Sequence, residues 1–364
     1  NISNCQMKKL KLKTFLFWIT WKVYPIIFGM LLLSSCASMG PKTIPSDGFN
    51  YNHHIALQQN EQILLNIVRL RYAEVPLFLN VSSVINQYSR DSRASLSGSN
   101  LFGAARADAN VNAGWSDRPT ITYTPMGGQA FSESLLHPLP PSAVFFLIQS
   151  GWSPARMLRL TSSSINGLKN EVSTSRDSHE ADADFTALLE EISLLQKKGA
   201  FGMEIGGTET APTVNIHFPE HIADDSVLSS IARFKELLNL NPELNSYPIR
   251  YGLIQQNRDE IFMRTHSLLE IFFSISGYVE VPKEHFEEGR TFSTYEPENI
   301  PLLRILSSKD RPDIDFVSIN TRDYWYYIDD RDMNSKTTFG ILQILLSLAR
   351  DSNPSKGPLI SIGN

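Results

Sequence analysis

The apolar positions of the chain follow two rhythms, and the slower of them indicates helices. Over residues 53–71, apolar side chains recur mostly at intervals of three or four, which predicts an amphipathic helix with one face against the body of the protein. The last helix is expected to be capped by Ser335. The same spacing predicts further helices at 141–149, from 154 onward, and at 185–195, 225–238, 259–276 and 335–348.

The faster rhythm, a period of two, indicates strands, most clearly between residues 77 and 125. Small apolar residues and one tryptophan share one parity there, opposite polar or glycine positions: Ala107, Ala109, Val111, Ala113 and Trp115. Because successive side chains of a strand point to opposite faces, this segment is predicted to be extended. Together with strands at 78–85 and 120–124 it forms a Ser/Gly/Ala-rich β-hairpin region. Other short strands are expected at 202–205, 213–218, 316–328 and 358–362.

Helices and antiparallel strands are segregated along the chain, without the strict alternation of a doubly wound sheet. This order predicts an α+β fold that mixes helices with short antiparallel strands and the extended hairpin. We expect an N-terminal region at 53–180, which contains the hairpin at about 77–125, and a C-terminal region at 181–364. No internal repeat interrupts this division.

The first residues are typical of an export signal. Lysines precede an apolar run that ends at Leu33, which is the order of a secretory signal peptide. The segment 33–36 (LSSC) resembles the lipobox of bacterial lipoproteins, in which the cysteine thiol receives diacylglycerol before cleavage. Residues 1–35 are therefore predicted to be a leader and lipoprotein signal peptide, with Cys36 as the lipidated residue. The alternative, an uncleaved transmembrane helix at about 15–33, is disfavoured because Lys22 and Pro25 interrupt it.

A lipid on Cys36 would fix the location of the mature chain. Each buried methylene adds about 0.8 kcal/mol to membrane binding, so a chain with several acyl groups remains anchored. In lipoproteins of double-membrane bacteria an aspartate after the cysteine favours the inner membrane. Ala37 stands there instead, which favours the outer membrane, facing the periplasm. Residues 36–52 are rich in Pro, Gly, Ser and Lys and are predicted to be a flexible tether.

The charge balance limits the partners of the mature chain. Of the 33 Lys and Arg residues, five lie in the leader, which holds no acid, so the mature chain has 28 bases against 38 acids and a net charge of −10. Such a surface disfavours nucleic acid as a partner. The chain has two cysteines, Cys5 and Cys36, so the mature domain is left without a disulfide and depends on its core.

Two clusters are candidates for binding. Asp329, Asp330 and Asp332 could hold a hard cation such as calcium, but Arg331 supplies a counter-charge and Asp-rich tetrads also suit turns, so no metal is expected. The aromatic run is the second cluster and consists of Tyr324, Trp325, Tyr326 and Tyr327. These rings could stack on a partner, or alternate members could face the core.

Motifs with strong chemical specificity are absent from the sequence. It contains no HExxH, no paired CxxC, no Walker-type loop and no Gly-x-Ser-x-Gly turn, so no cofactor is expected and an enzymatic role is disfavoured. Carboxylates such as Glu190, Glu191 or Asp329 could serve acid–base chemistry on a cell-wall glycan. Their spacing does not single them out.

Three blocks resemble a family of uncharacterised proteobacterial envelope lipoproteins: 66–72 (NIVRLRY), 118–125 (RPTITYTP) and 324–332 (YWYYIDDRD). The resemblance implies an envelope location and a coherent domain over most of the mature chain. It implies no chemistry and no functional residue.

The leading hypothesis is a non-enzymatic envelope lipoprotein that acts as a structural or assembly component, with envelope proteins or further copies of itself as partners. The alternative is an oligomeric outer-membrane pore or export lipoprotein that inserts the hairpin at 90–124, because alternating outer-membrane strands of about 9–11 residues have the rhythm of 107–115. A second alternative is an enzyme acting on cell-wall glycan.

Overall fold

A computed structural model describes residues 40–85, 88–101, 104–117, 120–125, 131–173, 178–208, 211–297 and 300–351. Its helices and mainly antiparallel sheets confirm the α+β fold. The described residues from Gln59 onward form one compact unit, and the described residues before Gln59 belong to another.

Helix α1, Gly40–Arg71, begins earlier than the expected start at residue 53. Most of the segment expected to be a flexible tether, 36–52, is therefore helical in the structure, which corrects that expectation. Pro41 costs no hydrogen bond, because the first four N–H groups of a helix have no partner within the helix, whereas Pro45 lies beyond them and leaves one helical hydrogen bond unmade. The second half of α1 buries a continuous apolar face: Ile63, Leu64, Ile67, Val68 and Leu70.

The predicted hairpin region is confirmed as two pairs of strands, in which the first strand pairs with the fourth and the second with the third. Strands β1, Leu79–Ile85, and β4, Thr120–Pro125, pair with each other, and β2, Tyr88–Leu101, pairs with β3, Ala104–Asp117. Each pair is a two-stranded antiparallel sheet. We call the β2–β3 pair the ribbon.

A six-stranded sheet forms the centre of the body, in the order β6-β5-β12-β11-β10-β9. Its strands are β5 Ser162–Ile165, β6 Leu168–Lys169, β9 Gly202–Thr208, β10 Ala211–His217, β11 Ser246–Tyr251 and β12 Ile261–Thr265; a separate small pair is β7 Val172–Ser173 with β8 Ser178–His179. Strands from both sides of residue 181 share this sheet. The expected division into regions 53–180 and 181–364 is thus corrected, because hydrogen bonds between β5 and β12 cross it.

Helices cover this sheet: α2 Pro141–Gln149, α3 Pro154–Thr161, α4 Ala183–Lys197 and α5 Asp225–Leu237. Helix α2 contacts β9, β10 and β11, while α4 packs between α3 and α5. These four helices and the β9–β10 hairpin agree with the predicted elements. They agree because apolar residues recur every three or four positions in the helices and every second position in the strands.

The single helix predicted at 259–276 is wrong. The first part is strand β12, Ile261–Thr265, which lies between β5 and β11, and helix α6 spans only Leu268–Ser276. A strand inside a sheet is buried on both faces, so its apolar run resembles that of a buried helix. The helix start was nevertheless visible in the sequence, since Ser267 and Glu270 form a capping box.

The C-terminal part contains α7 Lys283–Glu287, a three-stranded sheet of β13 Leu306–Ser308, β14 Asp315–Thr321 and β15 Tyr324–Asp329, and helix α8 Met333–Asp351. The paired strands predicted at 316–328 are confirmed as β14 and β15. The α8 N-terminus is capped by Asp332, whose carboxylate accepts from the Ser335 N–H at 3.0 Å and its hydroxyl at 2.7 Å. Ser335 is therefore the capped residue and not the cap. The strand predicted at 358–362 lies outside the described residues.

Gly277, at the end of α6, offers a test of this packing. A methyl group there would overlap the backbone carbonyl of Ser173, so we expect Gly277→Ala to lower the free energy of unfolding by about 1–3 kcal/mol. Gly340, inside α8, has open space around it, and Gly340→Ala should raise stability by about 0.5–1 kcal/mol. Urea denaturation of both variants checks the pair. Equal effects of the two substitutions would contradict the contact.

Candidate functional site

The three aspartates suggested for a cation have separate partners. Asp329 accepts from Arg331 at 2.9 Å and 2.6 Å, and this pairing holds the pKa of Asp329 down at about 2. Asp330 binds the Lys336 ammonium at 2.6 Å, and Asp332 caps α8. In the described part of the chain, no group of three or more His, Cys, Asp or Glu side chains is arranged to hold a metal ion. The tetrad acts as a turn and a helix cap.

The aromatic run divides between the two faces of β15. Tyr326 is fully buried, whereas Tyr324, Trp325 and Tyr327 are partly exposed. Trp325 stacks with the Arg311 guanidinium, 5.3 Å from the ring centroid. The run therefore supplies both a core residue and partly open rings.

A buried row of hydrogen-bonded side chains, which we call the tyrosine network, joins α1 to the C-terminal sheet. The Tyr72 hydroxyl lies 2.6 Å from the Tyr326 hydroxyl and 2.7 Å from His285 Nδ1. Burial raises the pKa of both tyrosines, and it lowers the pKa of His285, an effect to which the nearby Arg290 adds. The tyrosine network brings together two of the sequence blocks, 66–72 and 324–332. Position 285 carried no signal in the sequence.

Arg71 lies beside the tyrosine network and is buried, with 2% of its surface exposed. Its Nη2 donates to the Phe292 carbonyl at 2.7 Å, while Nε and Nη1 have no hydrogen-bond partner among the described residues. Burial lowers the pKa of Arg71 to about 10. The neighbouring Arg322 guanidinium sits over the Tyr72 ring at 4.1 Å and pairs with Glu74. The end of α1 is thus a basic, tightly packed junction.

Two amide side chains of α1 fix the start of the hairpin region. Buried Asn66 donates to the Leu77 carbonyl and accepts from the Leu77 N–H, both at 2.8 Å. One helical turn earlier, the Gln62 amide lies 3.2 Å and 2.9 Å from the carbonyl and the N–H of Leu79; the hydrogen-bond network assigns its nitrogen to the carbonyl and its oxygen to the N–H, which gives the same pair of bonds. The spacing of these pairs matches that of strand residues on one edge. We call this arrangement the amide clasp.

The residues proposed for a membrane hairpin lie on β3 of the ribbon. Their register partners on β2 are, for Ala107, Ala109, Val111, Ala113 and Trp115 in turn, Gly98, Leu96, Ala94, Ser92 and Arg90. Among the described strands, β2 and β3 pair only with each other. The lipidation candidate Cys36 lies outside the described residues.

A groove of about 620 Å³ opens between α3 and α4. Apolar side chains line much of it: Ala155, Ala181, Phe185, Leu189, Leu194 and Ile300. One wall carries an ion pair, in which Arg159 Nη2 donates to Glu171 Oε1 at 2.8 Å. The volume suits a small ligand or a peptide, and polar side chains complete the lining, among them the charged residues Arg159, Glu171, Glu190, Lys197 and Lys198.

The ion pair is positioned from behind by Asn170, which is almost completely buried. Its Nδ2 donates to the carbonyls of Arg159 and Ser162, both at 2.7 Å, and its Oδ1 accepts from the Glu171 N–H at 2.8 Å. Sequence reasoning missed Arg159, Asn170 and Glu171, because they belong to no motif and converge only through the fold.

Tyr278 and Tyr295 lie beside Glu171, next to a second cleft of about 440 Å³. The Tyr278 hydroxyl is buried without a hydrogen-bond partner among the described residues, and burial, with the nearby Glu171 carboxylate, raises its pKa. The Tyr295 hydroxyl donates to Glu180 at 2.9 Å.

The acids suggested for glycan chemistry do not converge. Glu190 lines the groove on α4, Glu191 accepts from the Ser230 hydroxyl, and Asp329 pairs with Arg331 on β15. Paired catalytic carboxylates of glycoside hydrolases face each other across one cleft. Of these three acids, only Glu190 lines the groove.

None of the described helices combines the length and the apolar character needed to cross a membrane. No protein-family description, curated protein or solved structure matches this chain.

The buried position of His285 predicts a pH dependence of stability. Because its pKa is lower in the folded protein, the unfolded chain binds more protons below about pH 6.5, so stability should fall as the pH drops from 7 to 5. His285→Asn should flatten this dependence; some should remain, because burial also lowers the pKa of His266. Denaturation at several pH values measures the effect, with His54→Asn, on the exposed part of α1, as control. Parallel curves for wild type and His285→Asn would contradict the argument.

Proposed function

We propose that this chain is a lipid-anchored protein of the bacterial cell envelope, attached to the outer membrane through Cys36 and facing the periplasm. It acts there as a non-enzymatic structural or assembly component of a protein complex. The signal segment and the LSSC lipobox support the anchor. The ribbon supports the assembly role.

The ribbon is the observation that carries this proposal. Each of its strands has 14 residues, a length of about 46 Å at the usual rise of an extended chain. A two-stranded hairpin alone is at best marginally stable in water, and an unpaired strand edge is a template for pairing. Within the described residues the body supplies no third strand. A partner strand, from an envelope protein or from another copy, would satisfy these edges.

The contacts of the candidate acids favour a non-enzymatic role. Asp329 and Glu191 are held by partners on their own or neighbouring elements, so each has a structural contact that explains its presence. Glu190 lines the groove, and neither of the other two candidate acids lines that groove with it.

The length of the ribbon favours a second candidate function, an oligomeric outer-membrane pore or export lipoprotein. A membrane-spanning β-strand needs about 9–11 residues, and 14 paired residues exceed that need. Several copies would have to close a barrel, because open sheet edges do not occur in the hydrocarbon layer.

Metabolic labelling tests the anchor. In the native host, wild-type protein should incorporate labelled palmitate and fractionate with the outer membrane. Cys36→Ser should lose the label and keep its leader, while Cys5→Ser, which changes the other cysteine, should behave as wild type. An unlabelled wild-type chain with its leader still attached would refute the proposed anchor.

Replacement of residues 86–119 by Asn-Gly tests the ribbon, since it leaves β1 and β4 to form a short hairpin. Wild-type protein extracted in mild detergent should migrate in a complex larger than one mature chain, whose mass is below the 41.0 kDa of the full sequence because the leader is removed, whereas the variant should migrate alone with unchanged thermal unfolding of the body. Channel conductance in planar bilayers, present in wild type and lost in the variant, would favour the pore. A monomeric wild type without conductance would contradict both functions.

A further inference from the structure

The groove between α3 and α4 combines an apolar lining with a paired acid and base, and the proposed anchor and ribbon do not require it. We propose that it binds an extended apolar peptide segment. In this arrangement Arg159 donates to a peptide carbonyl, Glu171 accepts from a peptide N–H, and an apolar side chain of the segment packs against Leu194 and Ile300.

The apolar lining provides the contact area. Phe185 and Leu189 are buried and close the floor of the groove, while Leu194 and Ile300 remain 38% and 73% exposed at its rim. A bound apolar side chain would remove the surface of Leu194 and Ile300 from water, which is the main source of favourable free energy in such sites. A volume of about 620 Å³ accommodates several residues of extended chain.

The ion pair has hydrogen-bonding capacity left over. Glu171, with only 4% of its side chain exposed, accepts from Arg159 through Oε1 and lies beside the buried Tyr278 hydroxyl; a carboxylate has about four lone-pair sites, so it can accept further hydrogen bonds. The guanidinium of Arg159 has five N–H donors; two or three are used by Glu171 and the Ile300 carbonyl, and its side chain is 23% exposed. A donor and an acceptor therefore stand side by side in the wall.

The charge balance identifies a neutral ligand. Arg159 is neutralised by Glu171, and Lys198 by Asp224 at 3.1 Å. One further base, Lys197, and one further acid, Glu190, lie at the rim. A ligand carboxylate would be attracted by the basic side chains and repelled by the acidic ones, so the groove gives it little net electrostatic stabilisation. An amide, which offers an N–H and a C=O without net charge, matches the pair, and a peptide backbone repeats that group beside apolar side chains.

The test titrates acetyl-Leu-Ser-Leu-amide into the full chain in lipid nanodiscs by calorimetry. We expect a dissociation constant below about 1 mM, which is within reach of a ligand of this size. Thr186→Phe, which fills the groove from α4, should weaken binding at least tenfold, and Glu171→Gln should weaken it severalfold. Ser229→Phe adds the same ring on an exposed position of α5, away from the groove, and should leave binding unchanged.

Absence of binding to wild type, or equal binding by wild type and Thr186→Phe, would overturn the proposal. Competition by decanoate, a carboxylate with a comparable apolar tail, would also overturn it, because the site would then recognise an anionic amphiphile. Thermal unfolding verifies that each variant is folded. If Thr186→Phe does not fold, the comparison of Glu171→Gln with Ser229→Phe decides the outcome. Membrane anchoring through Cys36 is measured separately, so failure of one proposal leaves the other standing.

Discussion

Polar groups that α1 carries into the interior impose the constraint on which much of the body depends. A buried polar atom without a partner costs about 1–3 kcal/mol, so the groups around the helix end must be supplied with partners. Asn66 takes both backbone groups of Leu77, and Tyr72 takes His285 and Tyr326. These contacts join the helix to the hairpin region, to α7 and to the C-terminal sheet. Residues far apart in sequence are fixed around one helix end.

Arg71 shows how closely this junction is filled. A guanidinium with 2% exposure is costly to bury, and its one hydrogen bond in the described chain goes to the Phe292 carbonyl, while Thr291 donates to the Arg71 carbonyl at 2.8 Å. The loop after α7 therefore binds both the side chain and the backbone carbonyl of Arg71. Tyr72, next in sequence, supports the Arg322 side chain of the β14–β15 turn. That turn has positive φ angles at Arg322 and Asp323, and the contact with Tyr72 helps to hold it.

Local sequence patterns predicted the elements that are formed by contacts between residues close together in the sequence. The ribbon, α4, the β9–β10 hairpin and the turn at Asp329 follow from periodicity or from charges two residues apart. Strand β12 was missed because its position inside the sheet comes from β5 and β11, which pair with it only after folding. The groove was missed for the same reason. Arg159 and Glu171 are twelve residues apart in sequence, and their meeting depends on Asn170.

The amide clasp connects the core to the start of β1, the strand that precedes the ribbon, and this contact bears on an assembly role. Gln62 and Asn66 lie on the buried half of α1 and hold the backbone of Leu79 and Leu77, at the point where β1 begins. A loop in their place would let the hairpin region swing, and binding would then cost the entropy of fixing it. Backbone groups held by a core helix remove part of that cost before any partner arrives. The proposed pairing of the ribbon with a partner strand would benefit from this fixed start of β1, because less conformational entropy would be lost on binding.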